Sequence, residues 1–138
     1  MADDDLPEPP TGFVPFPSRG HFSEHVGPYF QHSDGTQAFF VLERHCNSLG
    51  VLHGGMASAF LDSVLAGAVA KATGKTPVTM HLSIDFLDMG RAGHWVLGEG
   101  SLTRAVGDIA YAEGRLRMGA RRLARATGVF KLMQRRAR

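Results

Sequence analysis

Asp62 is the only charged residue between Gly54 and Ala70, in the run GGMASAFLDSVLAGAVA. A buried carboxylate is costly unless it is paired, hydrogen-bonded or protonated. An acid at the centre of an apolar helix therefore points to a function more than to packing. Desolvation there also makes a carboxylate more basic, which suits the removal of a proton from water. Gly54 and Gly55 open the same run, where the first backbone N–H groups of a helix lack partners and the dipole is positive. Glycine lets a ligand oxygen come close to that backbone, a good place for a carbonyl developing negative charge. The plainer reading is a tight turn into the helix. Just upstream, His53 and Asn47 are either polar groups of the same site or local supports, Asn47 through an Asx turn.

His53 and Asp62 are nine positions apart. At about 100° per residue they fall on opposite helix faces, separated by about 13 Å along the axis. They do not readily share one site within a single chain. Cooperation requires two chains, with the helix start of one near the mid-helix aspartate of the other.

The elements that position these residues follow from periodicity. Residues 1–20 contain five of the seven prolines and read as an irregular arm, with residues 21–138 as a single domain. In the arm, Phe13 and Phe16 could pack over a neighbour or a pocket mouth. Strands are expected near Val26–His32 and over Gln37–Leu42, on either side of the turn signal SDGT. Gly54 to about Thr73 reads as a helix ended by Gly74 and closed off by Pro77. The period then changes to two. In PVTMHLSIDFL, Val78, Met80, Leu82, Ile84 and Phe86 share one face, and Thr79, His81, Ser83 and Asp85 the other. Three more strands follow, separated by RAG, VG and GA, connections short enough for antiparallel neighbours. Their alternate positions carry Gly98 and Gly100, then Ala110, Ala112 and Gly114, then Ala124, Ala126 and Gly128. That band of small residues lets the Ala/Gly-rich helix lie close against a sheet curled around it.

The remaining composition narrows the class. The chain of 138 residues has one cysteine, Cys46, which excludes an internal disulfide and fits a reducing, cytoplasmic compartment. The N-terminus lacks the basic and apolar regions of a signal peptide, and Gly54–Ala70 reads as a core helix rather than a membrane span. VAKATGKT resembles a phosphate-binding loop, but Val69 stands where its first glycine belongs, and it ends a helix instead of preceding one. The seven histidines show no tight ligand spacing, so no metal is expected. Residues 115–138 hold nine Lys/Arg and no acid, read as a solvated strand face with a frayed tail or as a phosphate-binding edge. No nucleic-acid-binding module is recognisable.

The segment NSLGVLHGGMASAFLDSVLA resembles the hotdog-fold thioesterases, specifically the phenylacetate-pathway and 4-hydroxybenzoyl-CoA thioesterase-like group. The shared pattern is Asn47, a glycine three later, His53-Gly54-Gly55, and the acid nine after the histidine. The resemblance implies an α+β fold, one long central helix wrapped by a curved antiparallel sheet of about six strands. It implies an acyl-CoA thioesterase that needs no cofactor, working as a homodimer and as a dimer of dimers, with no nucleic acid and no membrane as partner. In such a site the Gly54 N–H polarises the thioester carbonyl, with Gly55 beside it and Asn47 or His53 assisting. Asp62 from the partner subunit activates water or attacks the carbonyl, and Thr79 falls where relatives place a hydroxyl that helps hold the water. Arg91, Arg104, Arg115, Arg117, Arg121 and Arg122 are candidates to meet the phosphates of coenzyme A. The competing readings are a non-catalytic acyl-CoA-binding module, against which Asp62 argues, and a hydratase or dehydratase, whose motifs are missing.

Overall fold

A computed structural model describes residues 5–17 and 20–134. Residues 1–4, 18–19 and 135–138, parts of the expected arm and of the basic tail, lie outside the described residues.

The apolar run becomes helix α2, Gly54–Thr73, with the His53 side chain capping its start and Gly74 ending it in the left-handed conformation at φ 70°. The helix buries Met56, Ala57, Phe60, Leu61, Val64, Leu65 and Val69. Full burial of a side chain such as Phe60 or Leu61 contributes about 1.5–3 kcal/mol. The receiving surface is a seven-stranded antiparallel sheet. In chain order its strands are β1 (Val14–Pro15), β2 (Phe30–Gln31), β3 (Gln37–Phe40), β4 (Thr76–Phe86), β5 (Trp95–Val106), β6 (Ile109–Met118) and β7 (Arg121–Met133), with a short helix α1, His21–Val26, between β1 and β2. Across the sheet the order is β1-β2-β3-β5-β6-β7-β4.

The small-residue band does what its spacing predicts. A Cβ built on Gly98 would lie 2.5 Å from Val64 Cγ2, and one on Gly114 would lie 2.7 Å from Leu65 Cδ2. The helix can approach this closely because those side chains are missing. This is the expected α+β hotdog arrangement.

Three local expectations change. The strand expected near Val26–His32 is shorter: helix α1, His21–Val26, ends at its first residue, and only Phe30 and Gln31 join the sheet there. Val14–Pro15 pairs with Phe30–Gln31, which raises the strand number to seven. The connection containing RAG does not join neighbours, because β4 pairs with β7 while β5 pairs with β3 and β6. Segment 87–94 instead crosses the start of the helix, with Leu52 N–H donating to Gly90 O and Val51 bridging to Arg91.

A further change concerns β4. The register of β4 on β7 shifts between Thr79 and His81, so that Thr79 pairs with Phe130 while His81 pairs with Val129. One extra residue reverses the alternation beyond it. Thr79 thus joins Leu82 and Ile84 on the helix side, and Val78 and Met80 turn outward, 51% and 60% exposed.

Candidate active site

The start of α2 is presented by a loop that is braced from inside. His45, only 3% exposed, accepts the Leu42 N–H at Nδ1 and therefore donates from Nε2 to Val26 O at 2.6 Å. The His45 carbonyl in turn receives the His53 N–H. Asn47 Oδ1 accepts the N–H groups of Leu49 at 2.9 Å and Val51 at 3.2 Å, the Asx turn open to it from sequence. His53 Nδ1 accepts the Gly55 N–H at 2.8 Å, and a Cβ on Gly55 would lie 2.9 Å from that nitrogen, so glycine is needed for the cap. The Gly55 N–H is thereby occupied. The Gly54 N–H has no acceptor among the described residues, and it opens the helix beside the ring of Phe86, 3.5 Å from where a Gly54 Cβ would be.

At mid-helix, half-buried Asp62 receives the Thr79 hydroxyl on Oδ1 at 2.5 Å. The bulge in β4 makes this contact possible, since strict alternation would aim Thr79 away from the helix. Asp62 lines a cavity of about 690 Å³ whose walls include Phe16, Phe22, Tyr29, Ser63 and Pro77. Phe16 thus brings the arm into the wall of the Asp62 cavity. Asn47, His53, Gly54 and Gly55 do not line it. Within one chain the structure brings Asp62 and Thr79 together and leaves the helix-start group apart.

Two residues of this region escaped the sequence reading. Gln37, 2% exposed, donates from Nε2 to Ser63 O at 3.1 Å and accepts the Ser63 hydroxyl at 2.9 Å. A Cβ on Gly67 would lie 2.7 Å from Gln37 Nε2, so this pair fixes the rotation of α2 and the direction in which Asp62 points. A polar residue at the head of an apolar strand was the available signal. Tyr29 packs edge-on against Phe60, and its hydroxyl is pushed up to about 12, first by burial and then by the negative charge of Asp62. No motif or period marks it.

The arginines do not form one patch. Arg115 and Arg117 both bind Glu99, at 2.9 and 3.2 Å, and these hydrogen bonds hold the Glu99 carboxyl below its usual range. Arg115 and Arg122 line an outer-face groove with Glu99, Glu113 and Asp85. Arg121 lies 3.5 Å from Asp88 and shares a different hollow with Arg91, His94 and Trp95. Arg104 is exposed and makes no ion pair among the described residues.

Comparison with known proteins adds four findings. Residues 49–124 match the family model of the thioesterase superfamily. A predicted esterase of Pseudomonas aeruginosa is 33% identical over 129 residues, covering 89% of this chain and 96% of that one. The fold is similar to that of a Streptococcus mutans protein bound to acetyl-CoA, with TM-score 0.68 and 22% identity over 74% of this chain and 82% of that one. It is also similar to the PaaI protein of the Escherichia coli phenylacetic acid degradation operon, with TM-score 0.67 and 18% identity over 76% and 72% of the two chains.

Proposed function

From the premise that this chain belongs to the thioesterase superfamily, we propose that it hydrolyses acyl-CoA thioesters to the free acid and coenzyme A. The observation that carries this reading is Asp62, held by the Thr79 hydroxyl, facing a cavity large enough for an acyl group. Thioester hydrolysis needs a carboxylate to work on water or on the carbonyl, and donors aimed at the oxyanion. Asp62 supplies the first. The Thr79 hydroxyl fixes its Oδ1 and keeps lone pairs with which to hold a water. The Gly54 N–H supplies the second, at the positive end of α2.

These two halves are not joined within one chain, so the proposed site is shared between two copies. Strand β4 is at the sheet edge, and Val78, Met80, Phe86, Leu87 and Met89 around it are exposed. An apolar edge of this kind favours covering by a second chain. That would bring the Gly54 of one protomer toward the Asp62 of the other. The acetyl-CoA bound by the Streptococcus mutans protein supports coenzyme A as the leaving group, with Arg91, Arg104 and Arg121 the candidates for its phosphates.

The test is release of free thiol from a panel of short, long and aromatic acyl-CoAs by the purified protein. Turnover of at least one ester is expected. Binding of acyl-CoA without hydrolysis of any would favour a non-catalytic binding module on the same fold.

A further inference from the structure

The cavity beside Asp62 contains a group that the hydrolysis above does not use. Tyr29 lines the same cavity as Asp62 and is 7% exposed. Its ring is packed edge-on to Phe60 at 5.1 Å and tilted against Phe39 at 6.3 Å. Among the described residues no hydrogen-bond partner for that hydroxyl is found, and no fully enclosed side-chain nitrogen or oxygen lacks a partner. The Tyr29 oxygen therefore opens to the cavity. Asp62 acts on the phenol through its charge, and its Oδ1 is already taken by Thr79. The nearby Ser63 hydroxyl is used on Gln37. A phenol that stays protonated beside a carboxylate is a permanent donor. A nearly buried donor without an acceptor is disfavoured, so such a site is matched to a ligand that supplies one.

We propose that Tyr29 is a specificity-determining residue for the acyl group, donating its hydroxyl hydrogen to an oxygen carried on the acyl chain. The substrate class is then an acyl thioester with a hydroxyl or keto substituent, rather than a plain hydrocarbon acyl. The proposal rests on the thioesterase reading of the same cavity. Phe39 and Phe60 fix the ring, and the ring fixes the position at which the substituent is read.

The experiment compares hexanoyl-CoA with its 2-, 3- and 5-hydroxy derivatives, on the native protein and on Tyr29→Phe. The native protein should prefer at least one hydroxy ester by about tenfold or more in kcat/KM, as expected for a hydrogen bond to a buried donor. Tyr29→Phe should erase that preference, read as the ratio of kcat/KM for the hydroxy ester to that for hexanoyl-CoA on the same variant, since only the hydroxyl is lost. Absence of any preference in the native protein, or a preference that survives Tyr29→Phe, overturns the proposal. Binding of the matching non-hydrolysable thioether analogues separates this from the reading beneath it. If no ester is turned over yet the hydroxylated analogue binds more tightly through Tyr29, hydrolysis is wrong and the Tyr29 contact stands. Equal binding of both analogues removes the Tyr29 contact as well.

Discussion

At the start of α2, Asn47 and His53 fold their side chains back onto the backbone of their own loop. At its middle, Asp62 takes a hydroxyl from a distant strand and faces a cavity. The first region uses its polar side chains to shape a turn and offers a ligand a backbone N–H. The second is held in place by its neighbours and offers a side chain. A motif read as one unit in sequence is thus two kinds of chemistry in space. Function at the helix start should survive side-chain changes that keep the turn, while function at mid-helix should not survive the loss of one carboxylate.

The largest effect is expected at mid-helix. Asp62→Asn keeps an acceptor for the Thr79 hydroxyl, so the thermal melt should hardly move. Thiol release should fall by about 100- to 10,000-fold, the range for loss of a positioned acid–base group. Near-normal hydrolysis by a folded Asp62→Asn protein would remove Asp62 from the chemistry.

The corresponding change at the helix start has to delete a backbone donor, and the geometry permits it. Gly54 is the first helical residue, where proline is tolerated, and His53 is already extended at φ −64° and ψ 132°, as a residue before proline must be. Gly54→Pro should keep the helix and lower kcat by about 100- to 1000-fold if the N–H serves the oxyanion. The variant also tests whether the site is shared. Exchanging Asp62→Asn chains with Gly54→Pro chains should restore activity, because each mixed dimer keeps one intact site of two. Demonstrated exchange with no recovery would confine the site to one chain.

The two regions were not equally legible in sequence. The helix was readable from its long apolar run ended by Gly74 and Pro77, and the long strands β4 to β7 because their period of 2 persists over ten residues or more. Asp62 stood out as a charge in an apolar run, a signal that requires no knowledge of the fold. Thr79 was placed there by resemblance alone, while strict alternation put it on the wrong face. The bulge that corrects this lies within Thr79-Met80-His81, which contains no glycine to mark it. Helix α1 was not read, and the first strand was drawn longer than Phe30–Gln31, because both elements are too short to show a period. The separation of β4 from β5 was illegible because connection length does not determine which edge a strand joins. Tyr29 and Gln37 derive their meaning from partners far away in the chain, so only the fold reveals them.

A smaller effect is expected at Thr79. Its hydroxyl is the group that holds Asp62 Oδ1 in place. Thr79→Val keeps the shape and removes the hydroxyl, so kcat should fall by about tenfold or more with KM little changed. Thr79→Ser, which restores the hydroxyl, should recover most of the loss. Failure of serine to rescue would mean that the side chain's packing, and not its hydrogen bond, supports Asp62.

The smallest effect, and the closest test of the contrast between the two regions, is expected at His53. Its Nδ1 accepts the Gly55 N–H as an N-cap, and the site proposed above requires nothing further of the ring. His53→Ala removes the cap, which typically costs about 1 kcal/mol of stability. His53→Asn replaces it with another good capping residue. If capping is the whole role, His53→Asn should melt close to the native protein and turn over acyl-CoA within about twofold of it. His53→Ala should melt lower, with activity per folded molecule falling only as far as the helix start frays. If the imidazole takes part in polarising the carbonyl, asparagine should restore the melt but not the rate. A His53→Asn protein with native stability and a large loss of kcat would show that the helix start, like its middle, depends on a side chain.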